Sequence, residues 1–345
     1  MWVKSRAKSP GLQILKARQR GSGIALILVV FLLALLIVIV SSFAYSVRVD
    51  HRLARNRADD LQVTEIAYAG LEVAKAMLRA DQADNKHDWL GDNWAVPLVP
   101  VKIEGATLTV EIVDEDRKLN INDLVPERTQ MEKKKVSVET IRKPVGERIV
   151  RAVEILGLNL NARQLLKELE EKINNEKTEA LEEEKGLFIG RPFHSLDELI
   201  ELESVERADL YGEASDHDLE ELLSIAGTGR VNLNTASRVI LVALSENMTG
   251  PIADAIIERR EELEGFTSPN QLAEVSGISK ELLIELRRLV KTTSSVFSVT
   301  IRVDHGEFRR TVRCLIQRGG ARIPLKPVLA PALDDIRVLR WQEVR

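Results

Sequence analysis

Residues 21–47 read GSGIALILVVFLLALLIVIVSSFAYSV, and this stretch decides the fold of the chain. It contains no charged residue, whereas about 20 consecutive apolar residues are enough to cross the hydrocarbon core of a bilayer. A cleaved secretory signal would have a shorter apolar core followed by a small-residue cleavage site, and neither feature is present. The sequence therefore predicts one transmembrane segment over residues 24–47.

The residues that precede this segment set its orientation. Positions 1–20 contain no acidic residue and carry the basic residues Lys4, Arg6, Lys8, Lys16, Arg18 and Arg20. Basic residues beside a transmembrane end stay on the cytoplasmic side. We therefore expect residues 1–23 to be cytoplasmic and the chain beyond residue 47 to lie on the far side of the membrane.

The composition of the 345-residue chain argues against several classes of protein. A net charge of −4 gives no reason to expect nucleic acid as a partner. The single cysteine, Cys314, cannot form an intramolecular disulfide, and in a strand-like run it is typical of a small buried apolar residue. Stability must therefore come from packing or from bound ions.

The apolar run does not end at a helix breaker. Residues 48–80 contain helix-forming residues, no proline and one glycine, Gly70, so we expect one helix over about residues 24–80. Its second half is predicted to pack on a folded domain through an apolar stripe formed by Ile66, Ala69, Leu71, Val73, Ala74, Met77 and Leu78. Residues 81–100 are polar and are predicted to form a loop.

Strand-like segments lie on both sides of a long helical region. Residues 106–113, 296–303 and 308–316 alternate and are β-branched, and the turn dipeptide His305-Gly306 separates the last two. The pattern of residues 117–292 is almost entirely helical. The sequence therefore predicts an α+β fold in which a large all-α domain is inserted between strands of one small antiparallel sheet.

The predicted helical domain contains a weak internal repeat. Residues 119–124, LNINDL, resemble residues 231–236, VNLNTA, and residues 193–199, FHSLDEL, resemble residues 266–272, FTSPNQL. In each segment an Asn or Ser precedes an apolar-periodic stretch, where its side chain can cap free backbone N–H groups. We interpret these residues as helix caps. Residues 167–185 form a Glu/Lys-rich run that is typical of a solvated helix or of a flexible excursion of the chain from the domain.

No grouping of side chains indicates catalysis, so we expect a protein that is not an enzyme. The sequence lacks P-loop, GxGxxG, GxSxG and HExxH motifs, and its histidines are scattered at His51, His87, His194, His217 and His305. Asp216-His217-Asp218 could hold a metal ion but is more typical of an exposed turn. Asp114-Glu115-Asp116 offers carboxylates that suit calcium but lacks EF-hand spacing, so we interpret it as a charged turn.

Residues 229–290 resemble the helix-hairpin-helix modules that bind the DNA backbone. Such modules grip phosphate with backbone N–H groups in a Gly-x-Gly turn. Met248 replaces one glycine of the first hairpin, leaving Gly250, and Ser279 replaces one glycine of the second, leaving Gly277. Acidic residues outnumber basic ones in this region, whereas phosphate binding favours the reverse. We therefore expect a retained module that does not bind nucleic acid.

The N-terminus resembles that of the type IV pilin and pseudopilin family, in which basic residues and a glycine directly precede the membrane helix. Members are cleaved after this glycine by prepilin peptidase and methylated on the new N-terminus. The resemblance implies cleavage after Gly23 and methylation of Ile24, with Gly21 and Ser22 as the alternative. Most members carry Glu as the fifth residue of the mature chain, but this sequence has Leu28 there.

The missing Glu, the inserted domain, the Asn-x-Asn segments and the degenerate hairpins together resemble one branch of this family, the minor pseudopilins called protein K of type II secretion systems. The resemblance covers about residues 18–345 and implies a pilin fold in the bacterial inner membrane, with the bulk of the chain in the periplasm. It implies a leader (1–23), a transmembrane half-helix (24–47), a pilin-like domain in two parts (48–116 and 293–345) and the inserted α-domain (117–292).

The same resemblance implies a place at the tip of a short pseudopilus that supports the export of folded proteins. Its partners would be two other minor pseudopilins, proteins I and J, and indirectly the major pseudopilin. In this family the Glu of one subunit is thought to pair with the N-terminal amine of the subunit above, so a subunit without Glu is suited to initiate the fibre. We expect the membrane-proximal residues Ala58, Leu61 and Thr64 to contact partner helices. Relatives can bind calcium in the α-domain, so calcium is the ion that the resemblance suggests, with no ligands assigned.

Two other functions remain possible from the sequence. A minor pilin of a type IV pilus would also sit at a fibre tip, but would not be expected to carry the inserted domain. A membrane-tethered DNA-binding or uptake protein would use the helix-hairpin-helix region, but it would need basic residues and intact Gly-x-Gly turns.

Overall fold

The computed structural model describes residues 21–126, 131, 135–175, 190–212, 218–319 and 336–344. Residues 1–20 of the predicted leader, the Asp216-His217 pair and residues 176–185 of the Glu/Lys-rich run lie outside these ranges. The chain separates into two compact units, Met1–Gln62 and Val63–Arg345.

The described residues form α-helices, strands and short 3-10 helices. The helices are α1 (Gly21–Asp84), α2 (Val138–Leu156), α3 (Ala162–Asn175), α4 (Arg207–Tyr211), α5 (Leu219–Leu222), α6 (Arg238–Ala243), α7 (Gly250–Glu262) and α8 (Lys280–Leu289). The strands are β1 (Val101–Ile103), β2 (Ala106–Asp114), β3 (Leu119–Asn120), β4 (Leu223–Ser224), β5 (Val231–Asn232), β6 (Val290–Lys291), β7 (Val296–His305), β8 (Phe308–Arg318) and β9 (Ile336–Val344). The 3-10 helices span Glu115–Arg117, Ile121–Leu124, Leu196–Glu201 and Pro269–Glu274.

The described part of the first unit is the N-terminal part of α1. Its apolar side chains are exposed on all sides, with Ile24 at 71% and Leu28 at 57% exposure. A helix that is apolar all round needs lipid or an apolar interior around it. Among the described residues, α1 is the helix that is long and apolar enough to cross a membrane. It fits the predicted single-pass anchor.

The second unit contains a five-stranded antiparallel sheet in the order β1-β2-β7-β8-β9. Three of its strands, β2, β7 and β8, coincide with the segments predicted from alternation and run slightly longer. The predicted turn joins β7 to β8, where Gly306 adopts a positive φ of 59° and His305 pairs with Phe308. This confirms the hairpin that the sequence predicts.

The C-terminal part of α1 packs across this sheet. Its buried face is formed by Val63, Ile66, Ala67, Leu71, Ala74 and Leu78. Gly70 allows the close approach, because a Cβ there would lie 2.9 Å from Cγ2 of Ile301 on β7. The predicted stripe was therefore wrong at two positions, since Ala69 and Val73 are exposed. The helical rotation of about 100° per residue centres the buried face on Ala67, Leu71 and Ala74 instead.

A helical region is inserted into the connection between β2 and β7. These two strands are neighbours in the sheet and pair from Thr107–Asp304 to Asp114–Phe297. The chain therefore leaves the sheet and returns to it at adjacent positions. Residues 115–295, here called the inserted module, form a hydrophobic core of their own that includes Ile149, Leu165, Leu199, Leu210, Phe266 and Leu286. The sheet and α1 enclose a separate core that includes Leu78, Phe297, Val299 and Ile301.

Candidate functional site: a duplicated helical module and its junction with the sheet

The inserted module is built from two halves with the same internal framework. In the first half, the side-chain amide of Asn122 accepts a bond from Phe193 N at 2.7 Å and donates one to Phe193 O at 2.9 Å. In the second half, Asn234 makes the same pair of bonds with Phe266, at 2.7 Å and 2.9 Å. Each asparagine thus clamps both backbone groups of one distant phenylalanine.

The residues around each clamp also match. Asn120 accepts from Asn122 N, and Asn232 accepts from Asn234 N, both at 3.0 Å. After each clamped phenylalanine, a serine begins a 3-10 helix with a capping box, Ser195 with Glu198 and Ser268 with Gln271. A two-stranded parallel ladder closes each half, β3 with β4 and β5 with β6. The internal repeat is therefore a structural duplication.

The roles of the repeated asparagines were only partly predicted. Asn120 caps the 3-10 helix Ile121–Leu124, as expected. Asn122 and Asn234 do more, because each joins two segments of its half that are 71 and 32 residues apart in the chain. The sequence signal for this role was the repeat itself. A second asparagine is present in both copies, which suggests that it has the same structural role in each.

The first hairpin of the second half, between α6 and α7, is filled by side chains. Met248, which replaces a glycine of the phosphate-binding turn, is buried. Arg238 pairs with Asp254 at 2.6 Å, and its guanidinium lies against Gly250 at the start of α7. The arginine beside this turn therefore already has a carboxylate partner within the chain.

The second hairpin of this half and its counterpart in the first half differ from a phosphate grip in other ways. Gly277 keeps a positive φ of 85°, but Ser279 serves as the N-cap of α8 and accepts from Leu282 N at 3.2 Å. Ser204 lies nine residues after Ser195, as Gly277 does after Ser268. The N–H and hydroxyl of Ser204 donate to Glu168 at 3.0 Å and 2.7 Å, so the equivalent turn of the first half is bonded to a carboxylate of the chain itself.

The junction between the module and the sheet is a buried polar network. The Asp114 carboxylate accepts from the hydroxyls of Thr235 and Ser294, each at 2.5 Å, and from Asn232 at 3.2 Å. Burial, with a smaller contribution from the neighbouring Asp116 charge, raises the pKa of Asp114 to about 6. These contacts join the end of β2 to the second half of the module.

Asp116 completes this junction. Its carboxylate pairs with Lys291 at 2.6 Å and accepts from Ser295 N at 2.7 Å and from Thr228 N at 3.3 Å. Glu115, between the two aspartates, pairs with Lys118 at 2.8 Å. The interpretation of residues 114–116 as a charged turn was wrong, because all three are buried. The partners of Asp114 and Asp116 named here lie more than 100 residues away in the chain, so no local pattern showed them.

A second buried cluster lies at the C-terminal end of α1. The carboxylates of Asp81, Asp88 and Asp92 lie within 4.8 Å of one another. Arg318, the last residue of β8, pairs with Asp81 at 2.8 Å and also with Asp88. Carboxylates in this arrangement could hold a cation such as calcium, but protein donors already engage all three.

The predicted N-terminal and interface residues lie along α1. Gly21, Gly23 and Ile24 are at the start of the helix, in its first turn. Ala58 and Leu61 are exposed, with Leu61 at 64%. Thr64 is half-buried and accepts a hydrogen bond from Arg310 of β8, so it is engaged within its own unit. Whether these residues meet partners stays a prediction.

Comparisons with known proteins agree with this architecture. A family model for the helix-hairpin-helix motif matches residues 227–291, the second half of the module with its flanking turn. Among solved structures, the fold is similar to a chain in the crystal structure of the GspK-GspI-GspJ complex from the enterotoxigenic Escherichia coli type 2 secretion system. The similarity has a TM-score of 0.60 at 15% identity and covers 85% of this chain and 99% of that one. No curated protein matches the sequence.

Proposed function

We propose that this chain is a minor pseudopilin of a type II secretion system, placed at the tip of the pseudopilus and involved in starting its assembly. One observation carries the proposal: a long apolar N-terminal helix, an antiparallel sheet and an inserted double module occur together in the arrangement of a chain from the GspK-GspI-GspJ complex. A minor pilin of a type IV pilus is disfavoured, because the inserted module fills the connection between β2 and β7.

The partners in this proposal are two other minor pseudopilins, corresponding to GspI and GspJ in the similar complex. The exposed side of α1 in the second unit supports helix contacts of this kind. A stripe of small apolar residues spaced alternately by four and three positions lies exposed there: Ala69, Val73, Ala76, Ala80 and Ala83. Such spacing forms a seam suited to close helix packing.

The tip position rests on Leu28. A subunit without Glu at this place cannot offer a carboxylate to the N-terminal amine of a subunit above it. Its own amine can still receive the Glu of a subunit below. The chain is therefore suited to the first place in the fibre, with its N-terminus cytoplasmic before assembly and its second unit in the periplasm.

Processing by prepilin peptidase is part of the proposal. Cleavage after Gly23, followed by methylation of Ile24, would place the apolar helix at the very start of the mature chain. N-terminal sequencing of the chain extracted from membranes is expected to begin at Ile24. A start at Ser22 would move the site to Gly21, and an uncut chain in cells that contain the peptidase would contradict the family assignment.

We predict that Leu61→Asp weakens assembly with the two partner subunits by at least about tenfold, because an unpaired charge buried in a helix contact costs a few kcal/mol. The measurement is co-purification of the three full chains from detergent-solubilised membranes. Circular dichroism of the variant controls for folding.

The matched control for this prediction is Ile284→Asp. Ile284 is 55% exposed on α8, so it offers similar apolar exposure on the inserted module. It is expected to leave assembly unchanged. If Leu61→Asp assembles as well as the wild type, the proposed contact surface is wrong. If the wild-type chains do not associate at all, the tip assignment fails.

No catalytic or nucleic-acid function is included in this proposal. The helix-hairpin-helix match alone would favour DNA binding, but Met248 and Ser279 stand in place of two glycines of the matched hairpins, and Arg238 there pairs with Asp254. The module is better suited to a structural role as a rigid body fixed to the sheet by its buried junction.

A further inference from the structure

Three arginines form a stripe on α1 directly after its uncharged run. Arg48 follows Val47, the last residue of that run, and Arg52 and Arg55 follow at spacings of four and three residues. At about 100° per residue, the three arginines lie within roughly 60° of one another around the helix. All three are exposed, and they belong to the first unit. Arg48, Arg52 and Arg55 are here called the basic stripe.

The helix itself does not balance the charge of the basic stripe. Residues three or four positions apart are neighbours on a helix, and like charges at this spacing destabilise it. Arg48 and Arg52 form one such pair, Arg52 and Arg55 form another, and His51 lies beside Arg48 and Arg55. The first acidic residue on this side of the helix is Asp59, four residues after Arg55. An anion beside Arg48 and Arg52 would therefore stabilise the helix.

The basic stripe lies where a bilayer carries its phosphates. Residues 24–47 span about 36 Å at 1.5 Å per residue, whereas the hydrocarbon core is about 30 Å thick. The last turn of this run therefore reaches the headgroup layer, where the exposed Tyr45 is typical of an interfacial residue. Arg55 lies only about 10 Å beyond Arg48 along the axis. Helix side chains tilt toward the N-terminus, here toward the membrane, so the long arginine side chains can reach back to lipid phosphates.

The side of the membrane on which these arginines lie is unusual. In the orientation of the proposed function, on which this inference rests, Arg48, Arg52, Arg55 and Arg57 lie on the non-cytoplasmic side. Basic residues near transmembrane ends are ordinarily concentrated on the cytoplasmic side. Four arginines between residues 48 and 57 on the other side therefore indicate an interaction that depends on their charge.

We propose that the basic stripe binds the phosphate groups of anionic phospholipids at the non-cytoplasmic surface of the membrane. An arginine near an anionic membrane surface strengthens binding by roughly fivefold. Its planar guanidinium also matches phosphate oxygens with two parallel hydrogen bonds. Three arginines acting together therefore select anionic over zwitterionic lipid by up to about 100-fold.

The test is photo-crosslinking of the full chain in phosphatidylcholine vesicles. The vesicles contain a trace of phosphatidylglycerol or of phosphatidylcholine that carries a photoreactive headgroup. Mass spectrometry then gives the ratio of phosphatidylglycerol to phosphatidylcholine attached to residues 42–60. Lipid held by the basic residues of positions 1–20 does not enter this ratio, because it attaches to a different part of the chain. We expect a ratio of at least about 10 in the wild type.

The variant that tests the stripe combines Arg48→Gln, Arg52→Gln and Arg55→Gln, and its ratio should fall to about 1. The matched control is Arg57→Gln, about 140° from Arg52 around the helix, and it should stay within about twofold of the wild type. A wild-type ratio near that of the triple variant would overturn the proposal. Excess inorganic phosphate should leave the wild-type ratio unchanged. If phosphate abolishes the selectivity, the stripe is a general anion site and not a lipid site.

Partner subunits provide the remaining arm of the test. Co-purification of the three full chains from detergent-solubilised membranes reports the proposed function, and the triple variant is expected to co-purify as the wild type does. If the variant loses its partners but keeps the wild-type lipid ratio, the stripe contacts protein and the lipid proposal is wrong. If the wild-type chains do not associate while the lipid ratio is as expected, the proposed function fails and the lipid site stands.

Discussion

Replacing Asn234 by aspartate is expected to lower the free energy of unfolding by about 2–4 kcal/mol, enough to endanger the folded module. Asn234 is 0% exposed, and its amide nitrogen donates to Phe266 O at 2.9 Å. An aspartate of the same shape cannot donate there when ionised. It would set a carboxylate oxygen against the carbonyl oxygen of Phe266 inside the core.

The measurement is urea unfolding of the full chain in detergent, followed by circular dichroism. Asn122→Asp changes the equivalent clamp of the first half and is expected to act in the same direction. Asn270→Asp makes the same chemical change at an exposed position in the second half and should stay within about 0.5 kcal/mol of the wild type. Equal losses at Asn234 and Asn270 would show that the clamp does not support the module.

Replacing Asp116 by alanine is expected to cost about 3–5 kcal/mol, the largest effect predicted for a single side chain here. The change leaves the Lys291 ammonium without its buried partner and removes the acceptor of Ser295 N and Thr228 N. Because these donors belong to the module and to the linker into β7, the module should lose its fixed attachment to the sheet.

A double-mutant cycle separates the two causes of this loss. Lys291→Ala alone removes the cation, and the Asp116→Ala, Lys291→Ala pair should recover part of the stability, since no unpaired ammonium then remains buried. Hydrogen exchange of the β7 amides near Val296 reports the attachment itself. If the loss of stability in the double variant equals the sum of the losses in the two single variants, the ion pair is not the reason that removing Asp116 destabilises the protein.

The elements with local sequence periodicity were predicted well. The uncharged run and the helix-forming residues after it predicted α1, and β-branched alternation predicted β2, β7 and β8. Strands β1 and β9 were missed for physical reasons. β1 has only three residues, and β9 is an edge strand whose charged residues, such as Arg337 and Arg340, mask the alternation.

Features that depend on contacts across the chain could not be predicted. Asp114 and Asp116 have the composition of a surface turn, and only the folded arrangement shows that Asn232 and Lys291 reach them. The cluster at Arg318 was missed for the same reason, because Asp81 and Arg318 are 237 residues apart. The internal repeat shows how far local patterns extend. It located the asparagines and the segments that begin at Phe193 and Phe266, but the bonds that join them appear only in the fold.

The pairing of Asp114 with Phe297 at the base of the inserted module has an evolutionary consequence. An insertion that departs and returns at paired residues behaves like a long hairpin loop, so changes in its length leave the register of the strands intact. A helical unit lodged there can be copied, enlarged or lost without rebuilding the sheet. The two matching halves of the module, in which clamp and phenylalanine are 71 and 32 positions apart, are the result expected when such a site accepts a copy and lets it diverge.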